Sequence, residues 1–331
     1  MSKLALTLAC PPYDRVQALM NGTVVPEGID LNFLPMEVEE IFWRQLKFAE
    51  FDISESSLST YTMLRSRGDD RFIAIPVFTS RFFRHSCIFI NVNKGINKPE
   101  DMRGKIVGVP EYQITASVWQ RGVLSSEYGV MPREISWRSG GLEHPGRVDK
   151  AELKLPEGVH IEPIPSDNTL SNMLHTGEID ALLTARYPSS FLNGSPNVGH
   201  LFPNYREVEE NYFKKTGVFP IMHAIVIKRE VYEANRWIAM SLYKAFCKAK
   251  DALMDYFDVA SALYTALPWF MGEVEKTRAI MGRDFWPYGI EPNIKTLEAF
   301  LGYHYEQGLS ARKMTIEDLF APETMSAGFK I

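Results

Sequence analysis

The sequence predicts an α/β protein of two lobes, and three observations predict it. Strand-like and helix-like segments alternate through the first quarter of the chain, a pattern that calls for parallel strands with helical crossovers. Two long apolar runs, TSRFFRHSCIFIN (79–91) and GVFPIMHAIVIKRE (217–230), flank a second alternating stretch. The length of 331 residues exceeds one compact domain of ordinary size and suits two. Read as crossover strands, the two runs place 1–82 plus 226–331 in lobe 1 and insert 83–225 as lobe 2. A ligand cleft is then expected between the lobes, where strand carboxyl ends and helix N-termini converge.

Each element has its own signal. In lobe 1, LALTLA (4–9) and IDLNFLP (29–35) are strands, and YDRVQALMNG (13–22) is a short helix closed by a glycine. A helical pattern covers 36–49, FDISESS (51–57) is a strand whose serines cap a helix over 58–67, and FIAIPVF (72–78) is another strand. In lobe 2, KIVGVP is a buried strand, and a helix begins near Tyr112. EISWR (134–138), VHIEPI (159–164) and IDALLTA (179–185) are strands, with a helix over 167–176. The Gly-, Pro- and charge-rich excursion 139–158 reads as a surface loop. From Val231 amphipathic spacing runs to about 257, and further helices follow between LPW, DFWPYG and EPN turns.

Composition narrows the function. With 45% hydrophobic residues there is material for two cores, and a net charge of −5 leaves no basic footprint for nucleic acid or a membrane surface. Cys10, Cys87 and Cys247 form no CxxC pair and read as reduced thiols. The N-terminal apolar run is too short for a secretory segment and no stretch reaches transmembrane length, so a cytoplasmic location is expected.

An unpaired charge inside an apolar strand is costly, so Arg81, Arg84 and His85 are expected to line a wet cleft. On a continuous strand Arg81 and His85 share one face and Arg84 takes the other. His223, in the other apolar run, is either a satisfied core histidine or the counterpart of His85 in that cleft. PEYQITASVW (110–119) carries a strand end into a helix N-terminus, an anion site to which Gln113 and Thr115 add polar groups. Glu111 in the same turn reads equally as a proton donor, an acceptor for a substrate hydroxyl, or a first-turn helix residue. The strand ends PPYDR, SESS and TAR supply Arg15, Ser56 and Arg186, and an arginine fork suits a carboxylate. Phosphate-loop, HExxH and CxxC patterns are absent, and the spacing of His85, His223 and Glu111 does not ask for a metal. His144, His160, His175, His200, His304 and most acidic residues read as loop or surface.

RFFRHSCIFIN, GKIVGVPEYQITASVWQRGVL, GVFPIMHAIVIKREVYE, DFWPYGIEPN and QGLSARKMTIEDLFAPET, in this order and over the full length, resemble the 4,5-dihydroxyphthalate decarboxylase family. The resemblance implies a type 2 periplasmic-binding-protein fold put to work as a cytosolic carboxy-lyase, yielding protocatechuate and CO2 without an organic cofactor. On that chemistry His85 is expected to protonate the ring carbon and His223, with Glu111, to serve the catechol hydroxyls, the reverse order remaining open. Arg84 and Arg186 would grip the spectator carboxylate, with Arg81 and Arg15 behind them. The alternatives are a non-catalytic binder or sensor of an aromatic acid on the same fold, and an enzyme of pyrimidine or thiamin-precursor chemistry. The partner expected is a small aromatic dicarboxylate. The aromatic C-terminal third reads as core packing before a homo-oligomer surface.

Overall fold

The computed structural model describes residues 3–146 and 153–326, so part of the excursion at 139–158 lies outside the described residues. In chain order the elements begin with β1 (Leu4–Cys10), α1 (Gln17–Met20), β2 (Ile29–Pro35), α2 (Val38–Phe48), β3 (Ile53–Ser57), α3 (Leu58–Ser66) and β4 (Phe72–Arg81). They continue with β5 (Ile88–Asn91), β6 (Ile106–Val109), α4 (Thr115–Tyr128), β7 (Ser136–Ser139), β8 (Ile161–Pro163), α5 (Leu170–Thr176) and β9 (Ala181–Leu183). Next come α6 (Ser189–Leu192), β10 (Val198–His200) and α7 (Tyr205–Thr216). The last are β11 (Ile221–Lys228), α8 (Arg229–Ala234), α9 (Trp237–Tyr256), α10 (Phe270–Met281) and α11 (Ile294–Glu306). The described residues divide into two compact units: 3–81, 221–297 and 315–326 in the first, and 82–146, 153–220 and 298–314 in the second.

Unit 1 is built on a sheet of order β2-β1-β3-β11-β4. β1 runs parallel to β2 and β3, whereas β11 is antiparallel to both β3 and β4. β4 is a sheet edge, and its apolar residues are nonetheless buried. Its exposed backbone groups are taken up by the C-terminal segment: Ala74 N donates to Leu319 O at 3.2 Å, and Ala321 N donates to Ala74 O at 2.8 Å. α9 buries Ile238, Leu242, Ala245, Phe246 and Ala249, a helical stripe laid partly on β4.

Unit 2 has the sheet order β10-β5-β9-β6-β7-β8, with β9, β6, β7 and β8 mutually parallel and β5 antiparallel to both its neighbours. Phe89, Leu170, Leu174, Ile179 and Leu182 make a core on one side. α4 is buried all round from Thr115 to Leu124 because residues 298–314 pack on it. Gly122 permits that approach, since a Cβ there would lie 2.2 Å from the Tyr303 ring. Residues 298–314, expected in lobe 1 with the rest of 226–331, thus belong to unit 2.

Several expectations require correction. The run 79–91 is not one strand: β4 stops at Arg81, a short 3₁₀ turn occupies His85–Cys87, and β5 starts at Ile88. The other run starts as a strand only at Ile221, because Pro220 has no N–H for a ladder. Phe82 N instead donates to Pro220 O at 3.1 Å, closing both strands at one level. Arg81 and His85 therefore do not share a strand face. The helix expected near Tyr112 begins at Thr115, and Tyr112 is wholly buried. His304 is not a surface residue but sits fully buried in α11, with Nδ1 2.5 Å from Ser310 Oγ. Over Tyr205–Thr216, where the sequence analysis assigns no element, α7 is a regular helix of 12 residues.

Candidate functional site

Alternation along β3 puts Ile53, Glu55 and Ser57 on one face and Ser54 and Ser56 on the other. In the antiparallel register His223 stands opposite Ser57 and Ile225 opposite Glu55, so His223 and Glu55 are diagonal neighbours on the same face. Nδ1 of His223 lies 2.5 Å from Glu55 Oε1. The bond assigns the Nδ1 proton to this contact and leaves Nε2 without a protein partner among the described residues. Glu55 is completely buried, while the His223 side chain keeps 17% of its exposure.

Two further donors converge on the same carboxylate. Cys10, the last residue of β1 before Pro11 and Pro12 end the strand, brings its Sγ to 3.5 Å from Oε2. Tyr13 donates its hydroxyl to Oε1 at 3.1 Å. Burial, and then the Glu55 charge, push the Cys10 thiol and the Tyr13 phenol above their ordinary ranges, so both remain protonated donors. Phe42 of α2 meets the His223 ring edge-on at 5.0 Å. Near Pro12 an open depression of about 590 Å³ is lined by Leu34, Met36, Glu37 and Arg44.

A bulge in β4 completes this corner. Between His223 and Ile225 the facing position on β4 moves from Ser80 to Ile75, which frees carbonyls that a regular ladder would use. Arg15 Nε donates to Thr79 O at 2.6 Å, Trp286 Nε1 to Phe78 O at 2.9 Å, and Gly289 N to Pro76 O at 2.8 Å. Gly289 has φ +90°, and a Cβ there would meet Tyr243 Oη at 2.8 Å. The DFWPYG segment is thus the patch that satisfies the bulge. Arg15 lies over two rings, 4.0 Å from the Tyr13 centroid and 4.4 Å from that of Trp286. Its Nη1 meets Asp14 at 3.1 Å, and its Nη2 has no protein acceptor among the described residues.

The other expected residues are placed as follows. Arg81, in unit 1, is buried and donates to Pro287 O at 3.1 Å; burial pulls its guanidinium down to about 9, still cationic at neutral pH. Ser56 points to the sheet face away from Glu55, and Ser57 is the one that caps α3, accepting from Thr60 N at 3.4 Å. In unit 2, Glu111, Gln113 and Thr115 are all buried at the start of α4, where Gln113 Nε2 donates to Glu111 Oε2 at 2.8 Å. Arg84 donates to Ala185 O at 3.0 Å, and burial pulls it down. Arg186 is exposed.

His85 is only 2% exposed, between the rings of Phe202 and Tyr212. Its Nδ1 is 3.9 Å from Glu209 Oε1, beyond hydrogen-bond reach, and neither ring nitrogen has a hydrogen-bond partner among the described residues. Desolvation pushes the imidazole down to about 4, so it is neutral at pH 7 and its remaining N–H is too weak an acid to protonate a ring carbon. This argues against the donor role expected for it. Sequence reasoning missed Glu55 and Tyr13. The one available signal was an acidic residue inside an otherwise apolar-and-serine strand, FDISESS.

No protein-family model matches the chain. It is 40% identical over 331 residues, the whole of both chains, to 4,5-dihydroxyphthalate decarboxylase of Comamonas testosteroni. It is 41% identical over 214 residues, 65% of this chain and 83% of the other, to the protein of the same name from Pseudomonas putida. Among solved structures it resembles the periplasmic aliphatic sulphonate binding protein SsuA of Escherichia coli, with TM-score 0.52, 11% identity, and 98% and 99% of the two chains covered. The periplasmic sulfonate-binding protein SsuA of Methylobacillus flagellatus gives TM-score 0.53 at 12% identity, covering 98% and 93%. These structural likenesses show a periplasmic-binding-protein-like fold. Among the described residues no helix is long and apolar enough to cross a membrane. With its whole length aligned at that level of identity, the chain belongs to the 4,5-dihydroxyphthalate decarboxylase family and is a carboxy-lyase.

Proposed function

We propose that the chain converts 4,5-dihydroxyphthalate to protocatechuate and CO2, with His223 as proton donor to the ring. The observation that carries this reading is the full-length likeness to the Comamonas testosteroni protein, whose name states the substrate. Direct loss of CO2 from a benzene ring would leave an aryl anion in the ring plane, which the ring cannot delocalise. Each hydroxyl of this substrate is para to a carboxylate, and its lone pair raises electron density at the carboxylate-bearing carbon. That carbon takes a proton from His223 Nε2 and becomes sp³. The bond to the carboxylate then breaks, CO2 leaves, and the electron pair restores the aromatic ring. Glu55 holds the imidazole in orientation and balances the charge it carries before transfer.

Arg15, fixed by Thr79 O and two aromatic rings, is assigned to the carboxylate that stays. A clamp on the departing carboxylate would stabilise the ground state and slow the step. Purified protein given 4,5-dihydroxyphthalate is expected to release one CO2 per protocatechuate formed, and unchanged substrate would reject the reading in favour of a binder. Arg15→Met is expected to raise KM by about 10–100-fold, the loss of one hydrogen bond between charged groups, with a smaller change in kcat. An unaltered KM would remove Arg15 from the site.

A further inference from the structure

We infer that Tyr13 is a positioning residue that joins the proton-transfer pair to the carboxylate-binding arginine through two different parts of one side chain. This rests on the reading of His223 as proton donor. The Tyr13 hydroxyl donates to Oε1 of Glu55, the oxygen that His223 Nδ1 also uses. The Tyr13 ring lies under the Arg15 guanidinium. Tyr13 can hold both contacts because it follows Pro11 and Pro12, with φ −63° and ψ 152°, at the end of β1.

Two donors on one carboxylate oxygen compete for its charge, so the Tyr13 hydroxyl sets how much remains for an imidazolium at His223. The groups facing this pair are Cys10 from β1, Arg15 beyond it, Tyr13 itself, and Tyr288 from the DFWPYG segment; Phe42 from α2 is uncharged. Burial pushes the Tyr288 phenol up, and its hydroxyl has no hydrogen-bond partner among the described residues. Of these, Tyr13 alone among the described residues touches both Glu55 and Arg15.

Tyr13→Phe keeps the ring and removes the hydroxyl, whereas Tyr13→Leu removes both. In Tyr13→Phe the alkaline limb of the kcat–pH profile is expected to move up by about one pH unit, because Glu55 is left with more charge facing the imidazolium. KM is expected to stay within about twofold of the parent. Tyr13→Leu is expected to show the same displacement and a KM raised about tenfold, which Phe rescues. The His223 ring titration followed by NMR is expected to move with the limb. That titration does not need turnover, so it still reports on Tyr13 if decarboxylation itself fails to appear. A His223 titration and a pH limb unmoved in Tyr13→Phe would overturn the link to Glu55. Equal KM values in Phe and Leu would overturn the link to Arg15.

Discussion

His223→Ala is expected to lower kcat for CO2 release by about 10²–10⁴-fold, the range for losing a positioned general acid, while KM changes little. Glu55→Gln, which keeps the shape and loses the charge, is expected to fall in the lower part of the same range. The reason lies in the bond between them. Glu55 is fully buried and accepts from His223 Nδ1 at 2.5 Å, so it fixes which ring nitrogen is available and opposes the charge on the ring. A glutamine offers an amide that cannot balance an imidazolium, and its N–H₂ can turn toward Nδ1 and invert the tautomer. Because the two residues act as one unit, the double variant should be little worse than His223→Ala alone. Steady-state kcat and KM with the two products quantified would check this. A His223→Ala enzyme within twofold of the parent would end the proposed chemistry.

The second large effect is on stability and belongs to unit 2. Arg121→Ala is expected to destabilise the protein by about 3–5 kcal/mol, read as a fall in the denaturant midpoint of unfolding. Arg121 is 1% exposed, in the middle of α4. Its Nη2 donates to Tyr112 O at 2.6 Å and its Nε to Gln307 Oε1 at 2.9 Å, while the guanidinium lies 3.6 Å from the Tyr112 ring centroid. Burial pulls the group down only to about 10, so it is charged when folded at neutral pH. Alanine would leave two buried acceptors unpaired and a cavity under Tyr112. Arg121→Met, which keeps much of the volume, is expected to cost less. A shift below about 1 kcal/mol for alanine would show that the fork and the stack contribute little.

The anion site expected at 110–119 shows how far local pattern reaches. The strand end, the helix start within three residues, and the polar trio Glu111, Gln113 and Thr115 were all legible there. What the pattern did not carry is that the trio is buried and partly spent on itself, with Gln113 bonded to Glu111. The arginines teach the same lesson. Arg81 and Arg84 stand out in the sequence as charges in apolar surroundings, and each donates to a backbone carbonyl, of Pro287 and Ala185. Their partners lie 206 and 101 residues away, beyond the reach of any local signal.

Alternation of apolar runs with helical spacing determined the α/β class and most of the strands of both units, because burial of one face is a local property of side-chain order. It also marked His223, since an imidazole in so apolar a strand stands out. Only the tertiary structure decided what His223 meets, by setting β11 antiparallel to β3 in a register that puts Glu55 diagonally beside it across 168 residues. It likewise ended β4 at Arg81 and folded His85 between two rings, where desolvation keeps it neutral. Register and burial are collective outcomes of packing, and no short stretch of chain encodes them.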